Sequence, residues 1–214
     1  MALFGSPQTA STTTTATASN FYKAYSGAGG KTINLGSEPD GNYYIIHLTC
    51  TGKNLTGVVK LFGANGNSPS FGSDFSVIGL TSYDGRVLVS PDTVKFQIGN
   101  VTSWTVEVQS LSTAKELATP GSISGRSDEV INLTGNALEL RISAVKQGDP
   151  AHISVSYYEG GDASGGPEAN AAEGSYTGVL DLGSPSPGPG LVIVSANKEN
   201  WKLTASEYLT GATD

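Results

Sequence analysis

Short stretches of alternating apolar and polar residues run along most of the chain. Residues 94–98 alternate Val, Phe and Ile with polar neighbours, and residues 104–108 repeat the pattern after Gly99-Asn100. Alternation with a period of two is typical of a strand that buries one face. Because Gly-Asn favours a tight turn, we interpret the two stretches as an antiparallel hairpin.

Apolar patterning predicts many other strands. Residues 43–48 are apolar on both faces, as in a central strand, and a turn at Gly52-Lys53-Asn54 would join them to residues 58–62 in a hairpin. A third hairpin is predicted from residues 138–142 and 153–157. Further short strands are predicted at 75–80, 86–89, 176–182, 191–195 and 201–205. The chain is therefore predicted to be all-β.

The two ends are poorer in apolar residues than the middle. We predict an N-terminal arm over 1–30, a first β-domain over 31–118 and a second, smaller β-unit over 119–159, which could pack with the first as one domain. Residues 160–214 are predicted to be a Gly- and Pro-rich extension whose short strands dock on a sheet edge. The fold class is all-β, with β-sandwich or barrel units of short antiparallel strands, an extended arm and a C-terminal strap.

The middle of the chain suggests a linker and a repeat. Residues 113–117 could form one helical turn before Thr119-Pro120-Gly121 ends it. Ile33-Asn34-Leu35 is followed by a Gly-Asn pair and a long predicted strand. The same order recurs from Ile131-Asn132-Leu133, again with a Gly-Asn pair and a long predicted strand. Either the β-unit is duplicated, or turn-rich sequences match here by chance.

Composition narrows the possible partners. Twelve Lys and Arg stand against nineteen Asp and Glu, which gives a net charge of −7 and disfavours binding to nucleic acid. A lone cysteine cannot form an intrachain disulfide, which suits a protein made in the cytoplasm. No signal peptide and no apolar run of membrane-spanning length are visible, so we expect a soluble protein without a membrane partner.

The usual metal-binding and nucleophilic residues are scattered. His47 and His152 fall in separate strands without acidic or sulfur ligands at metal spacing, and Cys50 lies in an apolar strand with no nearby histidine in sequence. Each is expected to be a packing or surface residue. We predict no metal and no cofactor.

Two short motifs lack the further residues that their known functions require. Ser112-Thr113-Ala114-Lys115 matches the Ser-x-x-Lys pattern of penicillin-recognising enzymes, but no Lys-Thr-Gly follows. Asp128-Glu129 and Asp162 lie in turn-like sequence but lack the alternating acidic pattern of a calcium loop. We therefore predict no catalytic residues, and a protein that is not an enzyme.

Aromatic residues near the two ends are the candidate contacts with other proteins. An aromatic side chain on a polar arm needs a surface to pack against, either its own domain or a neighbour. The expected partner-binding residues are Phe21, Tyr22, Tyr25, Trp201 and Tyr208. Trp104 falls on the apolar phase of its strand and is expected in the core, whereas Tyr83 and Tyr158 are expected to be exposed.

Taken together, the arm, the short β-units, the acidic surface and the strap resemble the capsid decoration, or cement, proteins of tailed bacteriophages. The resemblance implies a β-sandwich or barrel clamp on the capsid exterior, commonly a homotrimer, that binds the major capsid protein at capsomer junctions. It carries no diagnostic motif, so it assigns no functional residue. The alternative is a tail, neck or head-fibre component, or a carbohydrate-binding module, that recognises host glycans.

Overall fold

A computed structural model gives the fold. The structure describes residues 22–35, 42–56, 59–63, 66–68, 78–146, 152–159, 168–172, 176–182, 189–197 and 199–207. In these residues every regular element is a β-strand, apart from one 3-10 helix at Leu111–Thr113. The predicted all-β fold class is confirmed.

Residues 22–110 form the first sandwich. Its strands pair in the orders β1-β7-β3-β5 and β2-β6-β4, and every pairing is antiparallel. Apolar residues of both sheets meet in one core. The strands are β1 Tyr22–Ala28, β2 Lys31–Asn34, β3 Tyr44–Thr56, β4 Val59–Gly63, β5 Ile78–Val89, β6 Thr93–Ile98 and β7 Ser103–Ser110.

Residues 115–206 form the second sandwich. Its sheets have the orders β13-β12-β15-β10-β8 and β14-β11-β16-β9, and they enclose a separate core. The strands are β8 Lys115–Ala118, β9 Gly121–Gly125, β10 Glu129–Thr134, β11 Glu139–Lys146, β12 His152–Glu159, β13 Glu168–Ala172, β14 Tyr176–Asp181, β15 Gly190–Asn197 and β16 Glu199–Ser206.

The two sandwiches have the same topology. The order β9-β16-β11-β14 reproduces β1-β7-β3-β5, and β10-β15-β12 reproduces β2-β6-β4, strand for strand along the chain. Ile33-Asn34-Leu35 and Ile131-Asn132-Leu133 run along the equivalent strands β2 and β10. This agreement favours the duplicated β-unit over a chance match of turn-rich sequence.

A tryptophan packed over a glycine marks the same place in both sandwiches. Trp104 faces Gly27 across β7 and β1, and Trp201 faces Gly125 across β16 and β9. A Cβ on either glycine would lie within 3.0 Å of the indole ring, so only glycine fits there. The indole nitrogen of Trp104 donates to the carbonyl of Gly29 at 3.1 Å, and that of Trp201 donates to the carbonyl of Ser127 at 2.9 Å.

Both cores consist of the inward residues of the alternating strands. The largest fully buried side chains are aliphatic apart from Phe96. Each side chain of this kind contributes roughly 1.5–3 kcal/mol relative to an exposed one. Trp104 is 3% exposed, which confirms its predicted place in the core.

The three predicted hairpins are wrong, although their strands are found near the predicted positions. β6 and β7 lie in different sheets, and so do β3 and β4, and β11 and β12. Each pair is joined by a connection that crosses from one sheet to the facing sheet. The alternation of apolar and polar residues predicts which side chains of a strand are buried. That pattern does not depend on whether the next strand pairs in the same sheet or crosses to the facing sheet, so it cannot distinguish a hairpin from a crossover.

The C-terminal strands lie inside the second sandwich. The strands predicted after residue 159 were expected on a sheet edge. In the described residues β14 does lie at the edge of its sheet, whereas β15 is flanked by β12 and β10, and β16 by β11 and β9. The predicted smaller unit of 119–159 thus holds only part of this sandwich. The helical turn comes earlier than predicted, at Leu111–Thr113, and β8 occupies most of the predicted span.

Candidate functional site at the junction of the sandwiches

The sandwiches meet through an apolar patch on their outer faces. Ile45 of β3 and Leu88 of β5 point away from the first core and pack with Val130 of β10 and Leu191 of β15. All four side chains are at most 3% exposed. Partly buried neighbours complete the patch: Tyr43, Leu111, Ala114, Tyr158 and Ile193.

Asp128 joins the two sandwiches beside this patch. Its carboxylate accepts a hydrogen bond from the Tyr83 hydroxyl at 2.5 Å and another from the backbone N–H of Ala196 at 2.7 Å. Its backbone carbonyl accepts from the N–H of Arg86 at 2.9 Å. Tyr83 and Arg86 belong to the first sandwich and Ala196 to the second, so one buried residue links both units.

Burial raises the pKa of Asp128 from 3.8 to about 6, because the ionised carboxyl is removed from water. Its two hydrogen bonds oppose this rise, and the negative charge of Glu129 adds to it. Burial also raises the pKa of Tyr83 well above 10.0, and the Asp128 charge acts in the same direction. The Tyr83 hydroxyl therefore remains a hydrogen-bond donor at neutral pH.

A pH effect on stability follows from Asp128. Between its unfolded and folded pKa values the folded carboxyl holds a proton that the unfolded one has lost, so its stabilising contribution falls as pH rises through this window. We expect the unfolding free energy of the wild type relative to Asp128→Asn to fall by up to about 3 kcal/mol between about pH 4 and pH 7. Urea titrations across this range measure it, and an unchanged difference would contradict the proposed linkage.

Charged side chains lie around Asp128 at the junction. The Glu129 carboxylate forms an ion pair with Lys115 and lies 3.8 Å from the Arg86 guanidinium. The Glu129 side chain is 8% exposed, and its Oε1 accepts no hydrogen bond from the described residues. Arg86 also donates to the carbonyl of Thr113 at 3.3 Å. These groups hold a buried acid against two basic side chains.

His47 lies between two acids on the same side of the junction. Its Nε2 is 2.7 Å from an oxygen of Asp84, and its Nδ1 is 3.2 Å from an oxygen of Glu107. The Ser127 hydroxyl donates to the Asp84 carbonyl and so ties the two sandwiches together again. We call the cavity of about 380 Å³ at this place the junction cleft, lined among others by His47, Asp84, Arg86, Lys115, Arg126 and Glu129.

The residues predicted to bind partners do not come together in the described part of the chain. Phe21 and Tyr208 lie outside the described residues, and for Tyr22 only the backbone in β1 is described. Tyr25 is half-buried against the first core. Trp201 is 2% exposed within the second core, so its side chain packs against its own sandwich.

The residues considered for chemistry have structural surroundings. Cys50 is 2% exposed, and burial raises the pKa of its thiol to about 11. Tyr83 is 5% exposed, contrary to the expectation that it would face solvent, and Tyr158 is half-buried at the junction. The side chain of His152, and Asp162 altogether, lie outside the described residues.

The described residues contain no group of three or more His, Cys, Asp and Glu side chains that could hold a metal ion. They also form no helix long and apolar enough to cross a membrane.

Sequence reasoning missed the junction. It considered Asp128-Glu129 only as a possible calcium loop, and it did not connect them with Tyr83 or Arg86. A usable signal is the Asp-Glu pair at the start of a strand of mostly apolar residues, where a carboxylate is costly unless it has a partner. The identity of that partner depends on contacts across 45 residues between Tyr83 and Asp128.

The known proteins that resemble this chain do so only weakly, and only in structure. No protein-family model and no curated protein matches the sequence. Among solved structures, PA5104, a conserved protein of unknown function from Pseudomonas aeruginosa PAO1, aligns with a TM-score of 0.25 and 12% identity, over 87% of this chain and 79% of that one.

A viral major capsid protein, the STIV MCP, is a second weak structural neighbour. It aligns with a TM-score of 0.22 and 11% identity, over 87% of this chain and 94% of that one. At TM-scores this low, neither alignment bears on the function of this chain.

Proposed function

We propose that this chain is a non-enzymatic structural protein of a virion, namely a capsid decoration protein of a tailed bacteriophage that binds the major capsid protein at capsomer junctions. The observation that carries the proposal is the union of a linked double sandwich with a Ser- and Thr-rich segment, residues 1–21, leading into β1. The double sandwich supplies a firm body, and the segment supplies a means of attachment.

Strand β1 is suited to extend a sheet onto a partner. In the described residues it pairs with β7 on one side and ends its sheet on the other. An edge strand presents unpaired N–H and C=O groups, and an extended segment of another protein can add to it. Such addition at the edge of β1 would place residues 1–21 directly against the capsid surface.

Attachment through a polar arm suits a repeating shell. A segment with few apolar residues buries little apolar surface in each contact, so each contact is weak. Many contacts on a symmetric shell, together with a homotrimer of the decoration protein, would raise the overall affinity through multivalency. Phe21 is the proposed aromatic contact of this segment, and Tyr22 of β1 is a proposed contact at the sheet edge, whereas Tyr25 is half-buried against the first core.

Removal of the arm tests the proposal. We expect a variant that lacks residues 2–21 to keep its fold, because β1 begins at Tyr22, and to lose co-sedimentation with purified empty capsids. A matched variant carrying a Gly-Ser segment of equal length separates the chemistry of the arm from its length. Attachment of the truncated chain at wild-type level would contradict the role of the arm.

Copy number distinguishes this proposal from the alternative. Hundreds of copies in each particle are expected for a shell protein on the virion exterior, whereas a tail, neck or head-fibre component that recognises host glycans would be present in small numbers. Quantitative mass spectrometry of purified virions, scaled to the major capsid protein, gives the count. A dozen copies or fewer would rule out shell decoration.

A further inference from the structure

The first sandwich has an open sheet edge at a place where the second sandwich has a covered one. In the described residues β2 pairs with β6 alone, whereas its counterpart β10 pairs with β15 on one side and with β8 on the other. Strand β8 comes directly before the rest of the second sandwich in the sequence and runs parallel to β10. The common β-unit therefore has a place for an added parallel strand, and no described residue fills it in the first sandwich.

The open edge of β2 presents backbone groups to its outer side. The N–H of Leu35, which follows β2, donates to the carbonyl of Val94 beside it at 2.9 Å. Successive residues of a strand point their N–H and C=O groups to opposite sides, so those of Thr32 and Asn34 face away from β6. An extended segment with its own N–H and C=O groups fits such an edge.

The segment that corresponds to β8 lies just before β1. Gly125 follows its counterpart Gly27 by 98 residues. The same spacing separates Ile131 from Ile33, so no residue is inserted or lost between these points. At this spacing residues 17–20 correspond to β8. They end a run that is rich in Thr, and a β-branched residue of this kind favours an extended strand.

The chain before β1 cannot follow the path that β8 takes. A Cβ on Gly121 would lie within 3.0 Å of the carbonyl oxygen of Ala118, so the close turn between β8 and β9 requires glycine. The counterpart of Gly121 is Lys23, whose Cβ excludes the same turn. Residues 17–20 therefore cannot reach the β2 edge of their own copy in the way that β8 reaches β10.

Lys23 also occupies a place that β8 fills in the second sandwich. Its Nζ donates to the carbonyl of Leu35 at 2.8 Å, just beyond the end of β2. In the second sandwich the buried side chain of Leu117 lies over Gly121, 3.6 Å from where a Cβ would stand. A strand added to β2 thus needs no large apolar residue at this point, and the counterpart of Leu117 is Ser19.

We propose that residues 15–20 of one copy add as a parallel strand to the β2 edge of a second copy, so that copies of the chain exchange their N-terminal segments. Exchange of an equivalent segment is a low-cost route to association, because it uses a contact that the fold already makes within one chain. Each copy gives one segment and receives one, so no β2 edge stays open when the ring of copies closes.

The exchange goes beyond capsid attachment and takes place in the free protein. Residues 1–14 lie outside the exchanged segment and remain for the capsid. Because the exchange is tested without capsids, its failure would leave the capsid-attachment proposal untouched, and the reverse also holds.

Sedimentation equilibrium of the full chain tests the exchange. We expect the wild type to be an oligomer and Thr32→Pro, which removes an outward N–H of β2, to raise the dissociation constant at least tenfold. Proline is tolerated on an edge strand when its missing N–H faces outward, and circular dichroism checks the fold. Thr32→Ala is the matched control, because it keeps the N–H, and it should associate like the wild type. A monomeric wild type, or association that a folded Thr32→Pro leaves unchanged, would overturn the proposal.

Disulfide trapping identifies the exchanged segment without the proline variant. The register of β8 on β10 sets Glu116 beside Asn132, and the same register sets residue 18 beside Asn34. Co-expressed chains carrying either Ala18→Cys or Asn34→Cys should therefore form a disulfide between copies, seen as a joined peptide by mass spectrometry. Cys50 is buried and should stay unreacted.

Thr9→Cys is the matched control for the trapping, because it lies outside the exchanged segment, and with Asn34→Cys it should give far less joined peptide. The absence of a joined peptide between Ala18→Cys and Asn34→Cys chains would overturn the proposal. A disulfide that forms only within a chain carrying both substitutions would overturn it as well, since the segment would then lie on its own copy.

Discussion

Replacing Trp201 with alanine is expected to lower the unfolding free energy of the second sandwich by about 4 kcal/mol. The indole fills the space over Gly125 and donates a hydrogen bond to the Ser127 carbonyl, so its loss leaves a cavity and an unpaired acceptor. A domain is typically stable by about 5–15 kcal/mol, and the loss would therefore bring this sandwich close to unfolding. Urea denaturation followed by circular dichroism measures the change.

Trp201→Phe is the matched control, because it keeps an aromatic ring but loses the N–H donor. It should cost less than half as much as the alanine variant. Trp104→Ala should produce a similar loss in the first sandwich, since Trp104 packs over Gly27 in the same way. A change below about 1 kcal/mol for Trp201→Ala would contradict its role in the core.

Replacing Asp128 with alanine is expected to lower the unfolding free energy by about 3 kcal/mol at about pH 5 and to uncouple the two sandwiches. At that pH the carboxyl is largely protonated, so the substitution relieves little charge but removes the hydrogen bonds that the Tyr83 hydroxyl and the Ala196 N–H make with the carboxyl. Removing one partner of a buried hydrogen bond costs roughly 1–3 kcal/mol. A smaller loss is expected at neutral pH, where removal of the buried charge offsets part of the cost.

The two tryptophans make this uncoupling visible. The chain has two, one in each core, so Trp104→Phe and Trp201→Phe leave single reporters of the separate sandwiches. With Asp128 intact the two fluorescence transitions should coincide, and with Asp128→Ala they should separate. Glu116→Ala, an exposed substitution on β8, should change stability by less than about 0.5 kcal/mol. Coincident transitions in Asp128→Ala would show that the apolar patch couples the units without Asp128.

Much of the fold could be predicted from the sequence because it depends on local alternation. Most of the residues that the pattern marked as buried in β6, β7, β11 and β12 do face a core. Among the exceptions are Val94, which is only half-buried, and Thr93 and Glu139, which are buried although the pattern assigned them to the outer face. The pairing of strands could not be predicted in this way. Phe96 pairs across to Ile33 and Leu61, more than 30 residues away in sequence, and nothing within a single strand encodes that choice.

The duplication has a second trace in the sequence, clearer than the Ile-Asn-Leu match. Ser82-Tyr83-Asp84-Gly85 on β5 corresponds to Ser175-Tyr176-Thr177-Gly178 in the sequence around β14, and the two tyrosines are backbone partners of equivalent residues on the neighbouring strand, Cys50 and Ala144. This second motif extends the repeat into residues 160–214, whose strands complete the second sandwich.

The candidate site could not be predicted from the sequence, for a different reason. Asp128 stands out as a carboxylate just before a mostly apolar strand, but the hydroxyl that binds it comes from Tyr83, which the pattern placed at the surface. The partner of Asp128 is determined by how the two sandwiches dock. That docking depends on all the residues of the two contacting surfaces, which are distant from one another in sequence. Local sequence holds little information about it.

The way in which the units dock also bears on whether a further copy could dock at the equivalent place of the second sandwich. Ile45 and Leu88, opposite each other on β3 and β5, meet the other sandwich, and their counterparts in the second sandwich are Glu139 and Asp181, opposite each other on β11 and β14. Since a head-to-tail contact between copies can propagate into a fibre, an apolar pair at that place would invite a third unit. Glu139 is 2% exposed and pairs with Arg141 at 3.2 Å, so a charged pair stands at this place instead of an apolar one, and it is a poor template for the same contact.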